Sequence, residues 1–381
     1  MNKFSVILLT AVLCLVPVSS NAAAGKTPAS AKKLRVGLLV DKGSRGNGVF
    51  HLASLIAHSP QTELVTVMGQ DIRDGKLSSL DVLVVSGGAA WRQFYAIGPA
   101  HISKLHDFLR KGGSYVGTCA GMTNVTFGKN RMNLLPFVPH RKATGSTGQV
   151  TVEISKEGAK LLGIKPGLRA VRYSGGPIVY KLPSAKVEGK GDPIAFFKTS
   201  VTRPGYDPTK FIGSPAILYG TFGKGKVIAT SFHPEYQEEN HDIMLGCFYA
   251  VTGVRMTPVY PKKNFRPVRV GIVTSALIGH GPVKTMLDLE RHPDIDLHYI
   301  MLSEINKGWL RHLDFLVLPH ADGALTKKYM NTPYSKKVLT EFLNNGGIIL
   351  AGGNAADAVA DHKNVKKLPA KVDFKKYILS K

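Results

Sequence analysis

Tyr115-Val116-Gly117-Thr118-Cys119-Ala120-Gly121-Met122 is the stretch that decides how this chain is read. Its first residues form an apolar strand, and Gly117-Thr118-Cys119-Ala120-Gly121 then turns the chain into a helix. Small residues on both sides of Cys119 permit a strained strand-to-helix turn that presents a nucleophile at the carboxyl edge of a sheet. A helix N-terminus beneath the sulfur favours the thiolate, because unpaired backbone N–H groups point toward it. A small Cys in a purely structural turn carries the same local pattern, and the flanking segments separate the two.

Upstream, Leu34 to Val40, Leu64 to Val67 and Asp81 to Val85 read as strands, and Pro99 to Lys111 has helical periodicity. Continuous apolar strands alternating with helices predict an α/β fold with a flavodoxin-like, doubly wound parallel sheet covered on both faces. Downstream, the strand Lys226-Val227-Ile228-Ala229-Thr230 ends in Ser231-Phe232-His233-Pro234-Glu235-Tyr236. His233 and Glu235 are two apart at a strand exit, so both can point to one side. The imidazole can then take the thiol proton while the carboxylate holds the ring in the useful tautomer.

The strand-helix order recurs later in the chain. Arg269 to Val273 matches the first strand, Asp314 to Leu318 matches Asp81 to Val85, and Phe342 to Gly347 matches Phe108 to Gly113. The offset holds at 233 or 234 residues, which predicts an internal duplication with a shorter second copy over 267–366. Residues 257–266, flanked and interrupted by Pro258, Pro261 and Pro267, suit a stiff basic linker. The first copy, 34–256, carries a β-rich insert at 130–230. In the second copy Gly353 stands where Cys119 does and no His-x-Glu follows, so that copy reads as degenerate. Gly279-His280-Gly281 and His320-Ala321-Asp322 fall in its strand-end loops, where such sheets bind ligands.

Gly117-Thr118-Cys119-Ala120-Gly121 with His233-Pro234-Glu235 resembles the Cys-His-Glu triad of class I glutamine amidotransferase-like domains. Ser86-Gly87-Gly88-Ala89, Gly112 to Gly121, Tyr173-Ser174-Gly175-Gly176-Pro177 and His233 to Tyr236 resemble the biotin-protein ligase N-terminal domain within that superfamily, over roughly residues 34 to 253. The resemblance implies Cys119 as nucleophile, His233 as its base and Glu235 as the orienting acid. It also implies backbone N–H groups of Ala120 and of Gly87 or Gly88 as oxyanion donors, with Tyr173, Gly175 and Gly176 beside the substrate. Thr123 stands where glutamine-using members carry Gln, and Ala120 where the deglycase and protease branch carries His. Nothing resembles the ligase's own catalytic domain, and Lys42 to Gly48 reads as a turn, so biotin ligation is not expected. Neither metal nor cofactor is called for.

The chain has 381 residues, with 50 Lys+Arg against 26 Asp+Glu and a net charge of +24. Its hydrophobic content of 44% excludes wholesale disorder, and three cysteines exclude a disulfide-stapled scaffold. Residues 1–24 combine Lys3, an apolar run from Phe4 to Val18 and an Ala22-Ala23-Ala24 end, the pattern of a cleaved signal peptide. Export to the periplasm or beyond would leave a charge of +23 and two cysteines, Cys119 and Cys247, the latter in an apolar helical pattern.

The expected activity is thiol-dependent hydrolysis or acyl transfer on a small-molecule or peptide amide or ester, through a Cys119 thioester. Export disfavours a biosynthetic amidotransferase, since ammonia released outside the cytoplasm has no tethered synthase. The alternative is a non-catalytic ligand-binding or scaffold protein of the cell envelope. The positive charge suits an anionic envelope polymer or membrane surface. Nucleic acid is disfavoured, because the lysines are dispersed and no recognition motif is present.

Overall fold

The computed structural model describes residues 32–44, 47–141, 143–201, 203–274, 279–301, 305, 308–319, 323–359, 365–368 and 373–380. The expected leader at 1–24 and His320-Ala321-Asp322 lie outside the described residues.

The chain opens with β1 (Leu34–Leu39), α1 (Gly48–Ala57), β2 (Thr62–Val67) and α2 (Gly69–Arg73). Next come β3 (Val82–Val85), α3 (Ala90–Ile97), α4 (Ile102–Arg110), β4 (Ser114–Thr118) and α5 (Ala120–Val125). The β-rich stretch holds β5 (Phe137–Pro139), β6 (Thr147–Ile154), α6 (Lys156–Leu162), β7 (Gly167–Ser174) and β8 (Val179–Lys181). It continues through β9 (Lys190–Phe197) and β10 (Pro215–Phe222) to β11 (Gly225–Thr230) and α7 (His241–Thr252).

Nine of these strands form one sheet in the order β2-β1-β3-β4-β11-β10-β9-β6-β7. The first five are parallel and the remaining pairings antiparallel. The β-rich insert therefore extends the parallel sheet at its edge, while β5 and β8 pair separately. Val36, Val82, Val84, Val116 and Ile228 face one core, and Leu39, Leu83, Val85, Tyr115 and Val227 face another. The strict alternation of a strand puts an apolar residue on both sides, which is why these segments are continuous apolar runs.

The later segment contains β12 (Val268–Val273), α8 (His280–Glu290), β13 (Ile295–Ile300), β14 (Phe315–Leu318), α9 (Gly323–Met330) and α10 (Pro333–Asn344). After them come β15 (Ile348–Gly352), α11 (Asn354–Ala358), β16 (Lys366–Leu368) and α12 (Phe374–Leu379). Its sheet is parallel in the order β13-β12-β14-β15-β16, the same sequence of positions as β2-β1-β3-β4-β11. Small details recur as well. The Arg35 N–H donates to Asp81 Oδ2 at 2.7 Å, and the Arg269 N–H to Asp314 Oδ2 at 2.9 Å.

Residues 33–381 form one compact unit. α1 packs on α8, and a single core cluster runs from Val36, Phe50 and Ile56 through Val283, Met286 and Val270. The proline-rich connector is stitched to both sides: the Val259 N–H donates to His58 O at 2.8 Å, and the Asn264 N–H to Pro293 O at 2.9 Å. Among the described residues, no helix is long and apolar enough to cross a membrane.

Candidate active site

β4 and β11 lie side by side, with Thr118 opposite Thr230, so both chains leave the sheet at one edge. At the end of β4, Cys119 takes φ 51° and ψ −102° and caps α5, and its N–H donates to Thr230 O at 2.8 Å. The flanking glycines are needed for space. A Cβ on Gly121 would come 2.1 Å from Val85 O, and one on Gly117 would come 2.8 Å from the Gly121 carbonyl carbon. Ala120 opens α5, so its N–H is one of the four without an intrahelical acceptor.

His233 and Glu235 follow β11 and are buried. His233 Nδ1 lies 2.9 Å from Glu235 Oε1, which leaves Nε2 as the nitrogen free to face a nucleophile. The Thr118 hydroxyl donates to the same carboxylate oxygen at 3.2 Å. Glu235 Oε2 is buried without a hydrogen-bond partner among the described residues. Tyr236 stacks on the His233 ring, with centroids 4.4 Å apart and planes 19° apart. Burial by itself would lower the imidazole pKa, but Tyr236, the Glu235 carboxylate and the Cys119 thiol together hold it well above the usual histidine range.

Gly87, at the end of β3, sits between the two reacting groups. A Cβ there would lie 2.5 Å from His233 Cε1 and 3.5 Å from Cys119 Cβ. Gly88 (φ 137°) bridges to Ser44, so the loops after β1 and β3 meet at the same sheet edge. From β7, the Ser174 carbonyl accepts from Cys119 Sγ at 3.7 Å. Gly175 (φ 71°) follows, and Gly176 packs so tightly on Ser231 that a Cβ would sit 1.8 Å from its carbonyl oxygen. Tyr173 is fully buried, and its hydroxyl donates to Gly176 O at 2.6 Å and accepts from the Gly145 N–H at 3.1 Å. It pins the turn that faces the sulfur, with its ring packed on Phe197 and Phe211.

Cys119, His233, Glu235, Gly87 and Ala120 thus converge, with the Ser174–Gly176 turn beside them. Sequence reasoning passed over Thr118, Tyr236 and Ser174, whose only signal was adjacency to motif residues. Cys247 lies in α7, and its burial pushes the thiol well up from the ordinary range. Gly353 stands before α11 at φ 56° and ψ −139°, with a φ like that of Cys119. His280 opens α8 and bonds Thr66 Oγ1 at 2.7 Å, so this strand-end residue ties the second sheet to the first. Among the described residues, no group of three or more His, Cys, Asp and Glu is placed to hold a metal ion.

Fold and site together define a mixed α/β protein with a large parallel-rich sheet and a Cys, a His and a Glu gathered at its carboxyl edge. No protein-family model matches the chain. Over 188 residues, 44% of this chain, it is 25% identical to the biotin–protein ligase of Schizosaccharomyces pombe. The chain spans 27% of that curated relative's length. Among solved structures it is similar to a glutamine amidotransferase, at 20% identity and a TM-score of 0.39, over 57% of this chain and 99% of the other. A glutamine amidotransferase from Thermotoga maritima gives 15% identity and a TM-score of 0.37, over 57% and 83%. A beta-galactosidase from Bacillus circulans gives 15% and 0.39, over 61% and 32%.

Proposed function

We propose that the protein is an exported member of the class I glutamine amidotransferase-like superfamily, of the biotin-protein ligase N-terminal type, that works as a thiol hydrolase or acyl transferase. Cys119 Sγ attacks the carbonyl carbon of an amide or ester, and the carbonyl π electrons move onto its oxygen. The N–H groups of Ala120 and of Gly87 or Gly88 stabilise that oxyanion. His233, holding the thiol proton on Nε2, passes it to the departing amine or alcohol as the C–N or C–O bond breaks. Glu235 keeps Nδ1–H oriented throughout. Water or an acceptor then takes the acyl group from the thioester, its proton returning through His233.

The observation that carries this reading is the buried contact of 2.9 Å between His233 and Glu235, set beside a cysteine in a strained turn. The second sheet is proposed as a degenerate copy in which Gly353 replaces the nucleophile. Export through residues 1–24, and an anionic envelope polymer or membrane surface as counterpart of the +23 charge that then remains, belong to the same proposal.

Iodoacetamide labelling at neutral pH tests it. Cys119 should alkylate at least tenfold faster than the deeply buried Cys247, and His233→Ala should remove most of that advantage. Equal, slow labelling of both thiols would instead favour a ligand-binding or scaffold protein.

A further inference from the structure

A cleft of about 590 Å³ opens between the first and second sheets, walled in part by Tyr236, whose ring stacks on His233. Its walls come from α1, the segment after β11, the connector, the end of α8 and β13. None of the described residues lining it is Lys or Arg, in a chain that carries 50 of them. Its charged side chains are instead the carboxylates Glu238 and Glu290, and its aromatic walls are Tyr236, Tyr260, Tyr299 and Trp309.

Glu290 is set in place rather than left free. Its Oε1 accepts from the Ser54 hydroxyl at 2.9 Å and from the Tyr299 hydroxyl at 2.6 Å. Its Oε2 is buried without a hydrogen-bond partner among the described residues, 3.4 Å from His58 Nδ1. That nitrogen is already 3.0 Å from the Ser54 carbonyl, to which a neutral ring donates. Glu290 is therefore a carboxylate fixed in the cleft wall by two hydroxyl donors, with its buried Oε2 beside His58.

We propose that this cleft binds a small organic ammonium ion, its N–H donors directed to Glu290 and Glu238 and its carbon body against the tyrosine and tryptophan rings. Aromatic faces and carboxylates are the two features that attract such a cation, and they act together in a partly enclosed site. The imidazoles lining the cleft are His51, His241 and His298, and His233 stacks on the Tyr236 ring that forms one wall. Burial, with His241 and His233 nearby, holds His51 uncharged down to about pH 3. The Nε2 of His241 lies 3.1 Å from Glu235 O, and that of His298 lies 3.0 Å from Asp296 Oδ2. The proposal uses neither Cys119 nor the chemistry assigned to it.

The chain has two tryptophans, so Trp91→Phe leaves Trp309 at the cleft as the sole indole reporter. Full-length protein is titrated at about pH 8, where ordinary imidazoles are neutral, with n-butylammonium chloride at constant ionic strength. Neutral n-butanol is the matched control. A saturable change in Trp309 emission with butylammonium alone, weakened about tenfold by Glu238→Gln or Glu290→Gln, is expected. A linear response, an equal response to butanol, or unchanged affinity in Glu238→Gln overturns the proposal. Glu238 is exposed, so that variant decides the matter even if Glu290→Gln, which loses part of a hydrogen-bonded carboxylate, fails to fold.

Discussion

At Cys119 the backbone sits at φ 51° and ψ −102°, a region that costs a non-glycine residue about 1–3 kcal/mol. The surroundings hold it there through the Cys119 N–H bond to Thr230 and the close contacts of Gly117 and Gly121. Gly353 adopts a similar φ of 56°, where a glycine pays little. The elbow backbone is thus available at both places, but only the first carries a side chain on it. His233 follows from the same local logic. Its raised pKa means that imidazolium persists past the ordinary value near 6.5. Any stability this gives is fully present below that value and is lost as pH rises through the folded-state value. Replacing Glu235 by Gln removes one of the charges that raise it, so the His233 midpoint should fall. An NMR titration of the imidazole in both proteins reads this directly, and an unmoved midpoint would contradict the ion pair.

At the scale of elements, the two sheets share more than strand order. Gly113 follows α4 and lies on the ring of Phe108, and Gly347 follows α10 and lies on the ring of Phe342. An added Cβ would approach those rings to 2.2 Å and 2.3 Å. Gly113→Ala and Gly347→Ala should therefore each lower stability by about 1–3 kcal/mol, as seen in the denaturant midpoint. A large cost at one and none at the other would speak against equivalent elements. Much of this was legible beforehand, because Asp-apolar runs and the Phe-Leu-x-x-Gly-Gly segments are local patterns at a fixed offset. So was the convergence of Cys119 and His233, since parallel strands of one sheet end at one edge. The pinning role of Tyr173 was not legible. Nothing local says that its hydroxyl bonds the backbone of Gly176 and Gly145. The cleft was invisible too, because it exists only where α1 meets β13 and the end of α8.

Over the whole molecule, the two copies expected from the internal repeat share one core. Phe50 of α1 meets Tyr299 of β13 edge-on with centroids 5.5 Å apart, and the connector bonds to both sides. Separating the sheets would expose this apolar surface, so they should unfold together. Single-tryptophan variants place Trp91 on the first sheet's side and Trp309 on the second's, and their denaturant midpoints should coincide. Two resolved transitions would show independent units. The net charge of +24 belongs to this scale as well, since it governs encounter with anionic surfaces while the acidic, aromatic cleft is a local exception.

The most direct test of the thiol chemistry is the intact mass of the protein after exposure to p-nitrophenyl acetate. One acetyl group on Cys119, released by hydroxylamine, lost in Cys119→Ser and kept in Cys247→Ser, is the predicted result. An unmodified Cys119, or equal acetylation of Cys247, would contradict the account.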